Sequence, residues 1–214
     1  MKMARLMADT MNRVMSCLPQ LQCRQCGYDG CRPYARALLE GATTIDRCLP
    51  GGSETLIELA KVFDLDPASY CPDIEQRALP VTIARIDPMA CVGCRKCIDV
   101  CPQDAIVGAS GLNHALIPSA CSGCGLCVPA CPMDCISLHE CDHPIERSAM
   151  APAHLARHDE TKRRQLKYDE QARRAHLKAK RTGSHTALTK NNRLKYMQEA
   201  LARVNQKKNQ DAQG

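Results

Sequence analysis

The chain contains no tryptophan and a single phenylalanine among 214 residues, and aromatic side chains make up 3% of it. So few large apolar side chains exclude a large ordinary hydrophobic core, and a fold of this size then needs internal staples. Long apolar runs are missing too: no window approaches the roughly eighteen residues that a membrane-spanning helix needs. The start, Met1 to Ser16, scatters Lys2, Arg5, Asp9 and Arg13 among Met, Leu and Val. It lacks the unbroken apolar stretch of a signal peptide and reads as a short amphipathic helix. Neither Gly-x-Gly-x-x-Gly nor a P-loop occurs, so nothing points to a bound nicotinamide, flavin or nucleotide. No nucleophile–base constellation is visible either, so the sequence shows no catalytic site of its own.

What the chain has in abundance is cysteine, 16 residues in all. Cys91, Cys94, Cys97 and Cys101, followed by Pro102, recur thirty residues later as Cys121, Cys124, Cys127 and Cys131, followed by Pro132. Each run reads C-x2-C-x2-C-x3-C-P, the spacing of bacterial ferredoxins that hold two 4Fe-4S clusters. Two-residue gaps let a tight loop place three thiolates around one cluster. The fourth Cys of each run lies on the next helical turn, so it ligates the other cluster. One set is therefore Cys91, Cys94, Cys97 and Cys131, and the other is Cys121, Cys124, Cys127 and Cys101. Structural zinc prefers two C-x2-C knuckles separated by a longer loop, and disulfides need an oxidising compartment of which the sequence shows no sign. A reducing, cytoplasmic setting follows.

Upstream, Cys23-x2-Cys26-x4-Cys31-x16-Cys48 is a different spacing. Taken alone it permits a 4Fe-4S cluster, a zinc site or reduced structural thiols. Local features favour a cluster loop. Gly27 and Gly30 free the backbone between ligands, Pro33 can open a helix over Pro33–Glu40, and Gly41 can end it. Cys31 then sits at a helix N-terminus, where free N–H groups stabilise a thiolate.

Further along, Ser53 can cap a helix whose Leu56, Leu59, Ala60 and Phe63 share one face. Pro67, Pro72 and Pro80 mark a connector. Each half of the repeat reads strand, cysteine loop, short helix, strand, with strands at Val81–Ile86, Ala105–Val107, Ala115–Ile117 and Cys135–Leu138. Gly93 and Gly123 occupy matching loop positions, where a missing Cβ lets backbone approach sulfur. The expected class is α+β. A small N-terminal iron–sulfur domain precedes a two-cluster ferredoxin domain with a pseudo-two-fold (βαβ)2 body, and a basic helical tail follows. The boundaries fall at 1–17 for the amphipathic segment, 18–65, a linker over 66–80, 81–141 and 142–214.

The net charge of +6 is divided unevenly. Residues 1–145 carry 12 Lys and Arg against 16 Asp and Glu, whereas residues 146–214 carry 17 against 7. The tail reads as a helix from about Ala153 to Arg181, broken by Thr182-Gly183-Ser184. A second helix from Thr186 to about Asn205 aligns Leu194, Met197, Leu201 and Val204. Basic clusters at Lys162-Arg163-Arg164, Arg173-Arg174 and Lys178, Lys180 and Arg181 admit three readings. They form a solvated helix face, a docking surface for an acidic redox partner or anionic lipid headgroups, or a nucleic-acid contact. Tyr168 and Tyr196 are too few to make a stacking platform for bases. Cys17, Cys71, Cys135 and Cys141 remain outside the three sets and read as small buried thiols. Cys135, His139, Cys141 and His143 can be drawn as a zinc set only with irregular gaps, and His154 and His158, one turn apart, fit a solvated face.

Beyond spacing, Leu18-Pro-Gln-Leu-Gln-Cys-Arg-Gln-Cys-Gly-Tyr-Asp-Gly-Cys-Arg-Pro-Tyr-Ala35 and Cys48-Leu-Pro-Gly-Gly52 resemble the B subunit of Rnf/Rsx-type electron-transport complexes. Cys101-Pro-Gln-Asp-Ala-Ile-Val-Gly-Ala109 and Cys131-Pro-Met-Asp-Cys-Ile136 are similar to that family's ferredoxin module. The resemblance covers roughly Leu18 to Leu138. It implies a third 4Fe-4S cluster on Cys23, Cys26, Cys31 and Cys48, and hence a relay of single electrons through three clusters. It also implies a redox-protein donor and acceptor, and other subunits of an Rnf/Rsx-like complex as partners. Family members usually begin with a hydrophobic anchor helix, whereas this chain starts almost directly at the cluster domain and adds the basic tail. A cytoplasmic protein, soluble or peripheral at the inner membrane, is the expectation.

Overall fold

A computed structural model describes residues 2–141 and 147–181. Its elements are α1 (Lys2–Cys17), α2 (Cys31–Leu39), α3 (Gly52–Phe63), α4 (Cys71–Arg77), β1 (Thr82–Ile86), α5 (Lys96–Val100), β2 (Ile106–Val107), β3 (Ala115–Leu116), α6 (Cys127–Ala130), β4 (Ile136–Glu140) and α7 (Arg147–Arg181). Residues 1–162 form one compact unit and residues 163–214 a second.

The first unit contains two separate hydrophobic cores. In the first, α1 contributes Val14 and Met15, α2 contributes Tyr34, Ala35 and Leu38, and α3 contributes Leu56, Leu59 and Ala60. These residues recur at helical spacing, so each helix turns one stripe inward. Burying a side chain such as Leu18, Leu56 or Leu59, each at most 1% exposed, stabilises the fold by about 1.5–3 kcal/mol. Residues 66–80, read above as a connector, carry a short 3-10 turn and α4, and Ile74 joins the same core. Helix α3 begins at Gly52, two residues earlier than a Ser53 cap predicts, with no side-chain cap; Ser53 lies inside its first turn. It ends at Phe63, and the left-handed backbone of the cap residue Asp64 turns the Leu65 N–H back to the Ala60 carbonyl at 3.0 Å.

The second core lies between the strands and the cysteine loops. Strands β1 and β4 pair antiparallel with Ile86 opposite Ile136 and Thr82 opposite Glu140. The bonds Asp87 N–H to Cys135 O (2.8 Å) and Cys141 N–H to Val81 O (2.9 Å) extend this ladder at both ends. Strands β2 and β3 pair antiparallel with Ile106 opposite Leu116. Strand positions agree with the sequence pattern to within two residues. The glycine expectation needs correcting, because the close approach is to backbone and not to sulfur. A Cβ on Gly123 (φ +68) would stand 2.0 Å from the Thr82 carbonyl oxygen, and one on Gly93 (φ +69) 2.5 Å from Leu112 backbone. Each cysteine loop is thus laid directly on a segment of the opposite half.

Helix α7 starts six residues earlier than the sequence pattern indicates. Arg147 donates to the carbonyls of Pro50, Leu79 (2.8 Å) and Pro80, while Ala151 and His154 are each 5% exposed. This first part is therefore packed, not solvated. In the second unit, the described part of α7 is exposed along its length. The proposed second tail helix, with Leu194, Met197, Leu201 and Val204, lies outside the described residues. No helix among them is long and apolar enough to cross a membrane.

Candidate metal centres

The first cysteine group is organised by glutamines that sequence reasoning passed over. Gln20, Gln22 and Arg24 all take left-handed backbone conformations (φ 56, 57 and 62), which folds the segment before Cys26 into a tight zigzag. Gln20 Nε2 donates to the Met15 carbonyl, and Gln22 Nε2 donates to Gln20 Oε1 at 3.1 Å. Gln22 Oε1 accepts the Cys31 N–H at 2.9 Å, at the start of α2. Both glutamines are buried, 1% and 5% exposed, so these bonds satisfy polar groups that water does not reach. Gly30 has a physical reason here, since a Cβ would meet Gln22 Oε1 at 2.7 Å.

The four thiols bear on one another. Burial pushes Cys31 up to about 12, with the charges of Cys23 and Cys26 adding to it. Cys48 is raised further by burial and then by Cys31, Cys23 and Cys26. Cys23 is raised by burial, with Cys26 adding to it. Thiolates grouped this closely would repel one another without a cation, and iron is the kind of charge that would offset that repulsion. Tyr34 steadies the loop before Cys48 by donating from its hydroxyl to the Thr44 carbonyl at 2.9 Å.

In the repeat, Cys101, Cys121, Cys124 and Cys127 line one cavity, walled by Ala84, Ile106, Leu116 and Leu138. The fourth cysteine of the first run thus stands with the first three of the second run. Burial raises Cys127 to about 12 and Cys124 to about 11, with the neighbouring thiols in this set as further causes. The Ala105 N–H donates to Cys101 Sγ at 3.3 Å. On the other side, burial raises Cys97, with Cys94 and Cys91 adding to it. Cys131 Sγ lies 3.2 Å from Cys135 Sγ, and Cys135, pushed up to about 12 by burial, also feels Cys131 and Cys91. Burial would raise Cys131 as well, but hydrogen bonds from Cys135 outweigh it and hold that thiol below its ordinary value.

A second residue missed from sequence stands here. His114 is 4% exposed, with Nδ1 3.2 Å from Cys97 Sγ and its own N–H 3.4 Å from Cys91 Sγ. Among the described residues, no three His, Cys, Asp or Glu side chains meet closely enough to hold one metal ion; Cys101, Cys121, Cys124 and Cys127 instead line one cavity. All-thiol donor sets, apolar walls and N–H groups aimed at sulfur fit an iron–sulfur cluster.

The remaining candidates do not assemble. Cys135 is turned towards Cys131, whereas His139 Nε2 pairs with Ser137 Oγ at 2.9 Å; His143 lies outside the described residues. His154 is buried, and burial lowers its pKa, while His158 faces Asp159 at 3.7 Å. Cys17 Sγ donates to the Arg13 carbonyl at 3.2 Å. In the tail Lys162, Arg163, Arg164, Arg173, Arg174, Lys178 and Lys180 are exposed, and Arg174 pairs with Glu170 at 2.5 Å. The Arg181 side chain lies outside what is described. Two interactions link the cysteine groups: Gln103 Nε2 donates to the Gln20 carbonyl at 3.3 Å, and Ser122 Oγ to the Leu21 carbonyl at 3.3 Å.

Comparison with known proteins defines the class. An Fe-S cluster family matches residues 18–50, and a 4Fe-4S dicluster domain family matches residues 84–138. Two segments of the chain are thus similar to iron–sulfur families, the second of them to 4Fe-4S dicluster domains. Its resemblance to the B subunits of Rnf/Rsx-type complexes is shown by relatives from Salmonella paratyphi B, Salmonella newport and Salmonella heidelberg, each named as the B subunit of an ion-translocating oxidoreductase complex. Each is 46% identical over 106 residues, covering 49% of this chain and 55% of the relative. The chain therefore spans about half the length of the curated relatives it matches.

Proposed function

We propose that this protein relays single electrons through three 4Fe-4S clusters between a low-potential donor and a redox partner. The observation that carries the reading is the cavity lined by Cys101, Cys121, Cys124 and Cys127, in which the fourth cysteine of one run stands with the first three of the other. The thiols of Cys23, Cys26, Cys31 and Cys48, and those of Cys91, Cys94 and Cys97, also act on one another. Cys23, Cys26, Cys31 and Cys48 hold one cluster, in a domain of their own over residues 18–65. Cys91, Cys94, Cys97 and Cys131 hold the second, and Cys121, Cys124, Cys127 and Cys101 the third, within a (βαβ)2 body over residues 81–141. When bound, each cluster supplies a site that takes up and returns one electron. The residues around it fix its place and its potential through burial and N–H···S bonds. The segment 20–22 joins the first set to the other two through Gln103 and Ser122, which gives the relay a continuous protein path.

By analogy with the complexes named for its relatives, the partners include other subunits of an Rnf/Rsx-like assembly, at the cytoplasmic face of a membrane. The exposed basic face of α7 offers a docking surface for an acidic redox protein or anionic headgroups. In the test, dithionite reduces the anaerobically reconstituted full chain and, once excess reductant is removed, thionine reoxidises it. A relay recovers its visible absorbance over repeated cycles with no loss of iron. Clusters that refuse reduction, or break down on the first cycle, belong to a structural scaffold instead.

A further inference from the structure

The two halves of the internal repeat differ at many positions, and two of these differences fall on the same site. Seven residues before the first cysteine of its loop, the first half has Ala84 and the second half His114. Four residues after the fourth cysteine, the first half has Ala105 and the second half Cys135. Ala84 lines the cavity of Cys101, Cys121, Cys124 and Cys127 and brings only a methyl group to it. Its counterpart His114 faces the other set, with Nδ1 3.2 Å from Cys97 Sγ. The backbone N–H of Ala105 reaches Cys101, and that of Cys135 reaches Cys131. Cys135 then adds its thiol, 3.2 Å from Cys131 Sγ. One site therefore receives two side-chain donors for which the other has alanines.

We propose that His114 and Cys135 are positioning residues that make the cluster on Cys91, Cys94, Cys97 and Cys131 the higher-potential member of the pair. This rests on the reading that the two sets hold 4Fe-4S clusters. An iron-bound thiolate can only accept hydrogen bonds, so His114 acts on it as a donor through Nδ1. Its other ring nitrogen, Nε2, is buried with no hydrogen-bond partner, so the one polar contact of the ring is to sulfur. The ring's seat is built by Gly108, where a Cβ would stand 2.2 Å from His114 Cδ2. A donor to sulfur draws off negative charge and stabilises the reduced, more negative state more than the oxidised one. The potential rises accordingly. One electron enters and one leaves, and no proton is consumed. The exposure of Cys94 acts in the same direction, so only substitution isolates the donors. Electrons entering the pair come to rest on this site, and transfer onward from it is the uphill step.

The test is a potentiometric titration with dithionite, followed by electron paramagnetic resonance, on the full chain after anaerobic reconstitution and an iron count. The expected wild-type result is two separated midpoints for the dicluster domain. His114→Ala and Cys135→Ala should each lower the upper midpoint alone, and the double variant should lower it most. His114→Gln, which keeps an N–H near sulfur, should recover part of the shift. An unchanged upper midpoint in variants that keep all their iron overturns the proposal, as does movement of the lower midpoint instead. Should the alanine variants lose iron, spin-echo spectroscopy of the reduced wild type with isotope-labelled histidine nitrogen decides. A histidine coupling on one dicluster signal supports the proposal, and its absence overturns it. A wild type that binds no clusters at all contradicts the proposed function and leaves a distinct signature, an iron count near zero.

Discussion

Replacing Cys101 with serine is expected to remove the cluster of the other loop, the one containing Cys121, Cys124 and Cys127, and to spare the cluster of its own loop. Cys101 follows the last turn of α5 as its cap, and there its side chain points away from Cys91, Cys94 and Cys97. It lines the cavity with Cys121, Cys124 and Cys127, and burial raises its thiol, with Cys121 adding to it. A serine hydroxyl is a far weaker ligand for iron than a thiolate, so iron should fall by about four atoms per chain, one cubane. The residual spectrum identifies which cluster has gone. Cys101→Ser should match Cys124→Ser, while Cys131→Ser should match Cys94→Ser. If Cys101→Ser matches Cys94→Ser, the crossed ligand sets are wrong.

Iron removal is expected to unfold one domain and leave the other standing. Among the described residues, the first core contains twelve buried residues, of which Cys48 is the one cysteine. Leucines, isoleucines and Tyr34 supply most of the rest, and their packing does not depend on metal. The second core contains seven, and Cys97, Cys127, Cys131 and Cys135 are four of them. Strands β2 and β3 are two residues each, too short to persist without what they enclose. Here the proposed ligands are themselves core residues, so binding iron and folding are expected to be one equilibrium. Treatment with an iron chelator under reducing conditions should open the amides of β1 and β4 to hydrogen exchange. Those of α3, behind Leu56 and Leu59, should remain protected. Equal loss of protection in both regions would show that the first domain also depends on its cluster.

The cysteine spacing made the site legible, because two-residue gaps are a local property and the loops that carry them are local structures. The helix at Cys31 and the strand positions were legible for the same reason: glycine, proline and alternation act within a few residues. His114 was invisible as a donor until β3 brought it against Cys97, seventeen residues back in sequence, though the repeat already held the signal in its mismatch with Ala84. Gln20 and Gln22 look like ordinary polar residues, and only their burial reveals that they shape the Cys23 loop. Arg147 and His154 belong to a basic tail whose composition reads as solvated. The packing of Arg147 depends on carbonyls of Pro50 and Leu79, and that of His154 on the backbone of Pro19, all far away in the chain. The same limit explains Ile74, since a proline-marked segment gives no local hint that a distant helix will cover it.

The central claim is three 4Fe-4S clusters on twelve cysteines, and the direct measurement is iron and acid-labile sulfide per chain after anaerobic reconstitution. The account predicts about twelve of each, four per cubane. About eight of each, with one zinc retained, would contradict it by removing the cluster on Cys23, Cys26, Cys31 and Cys48.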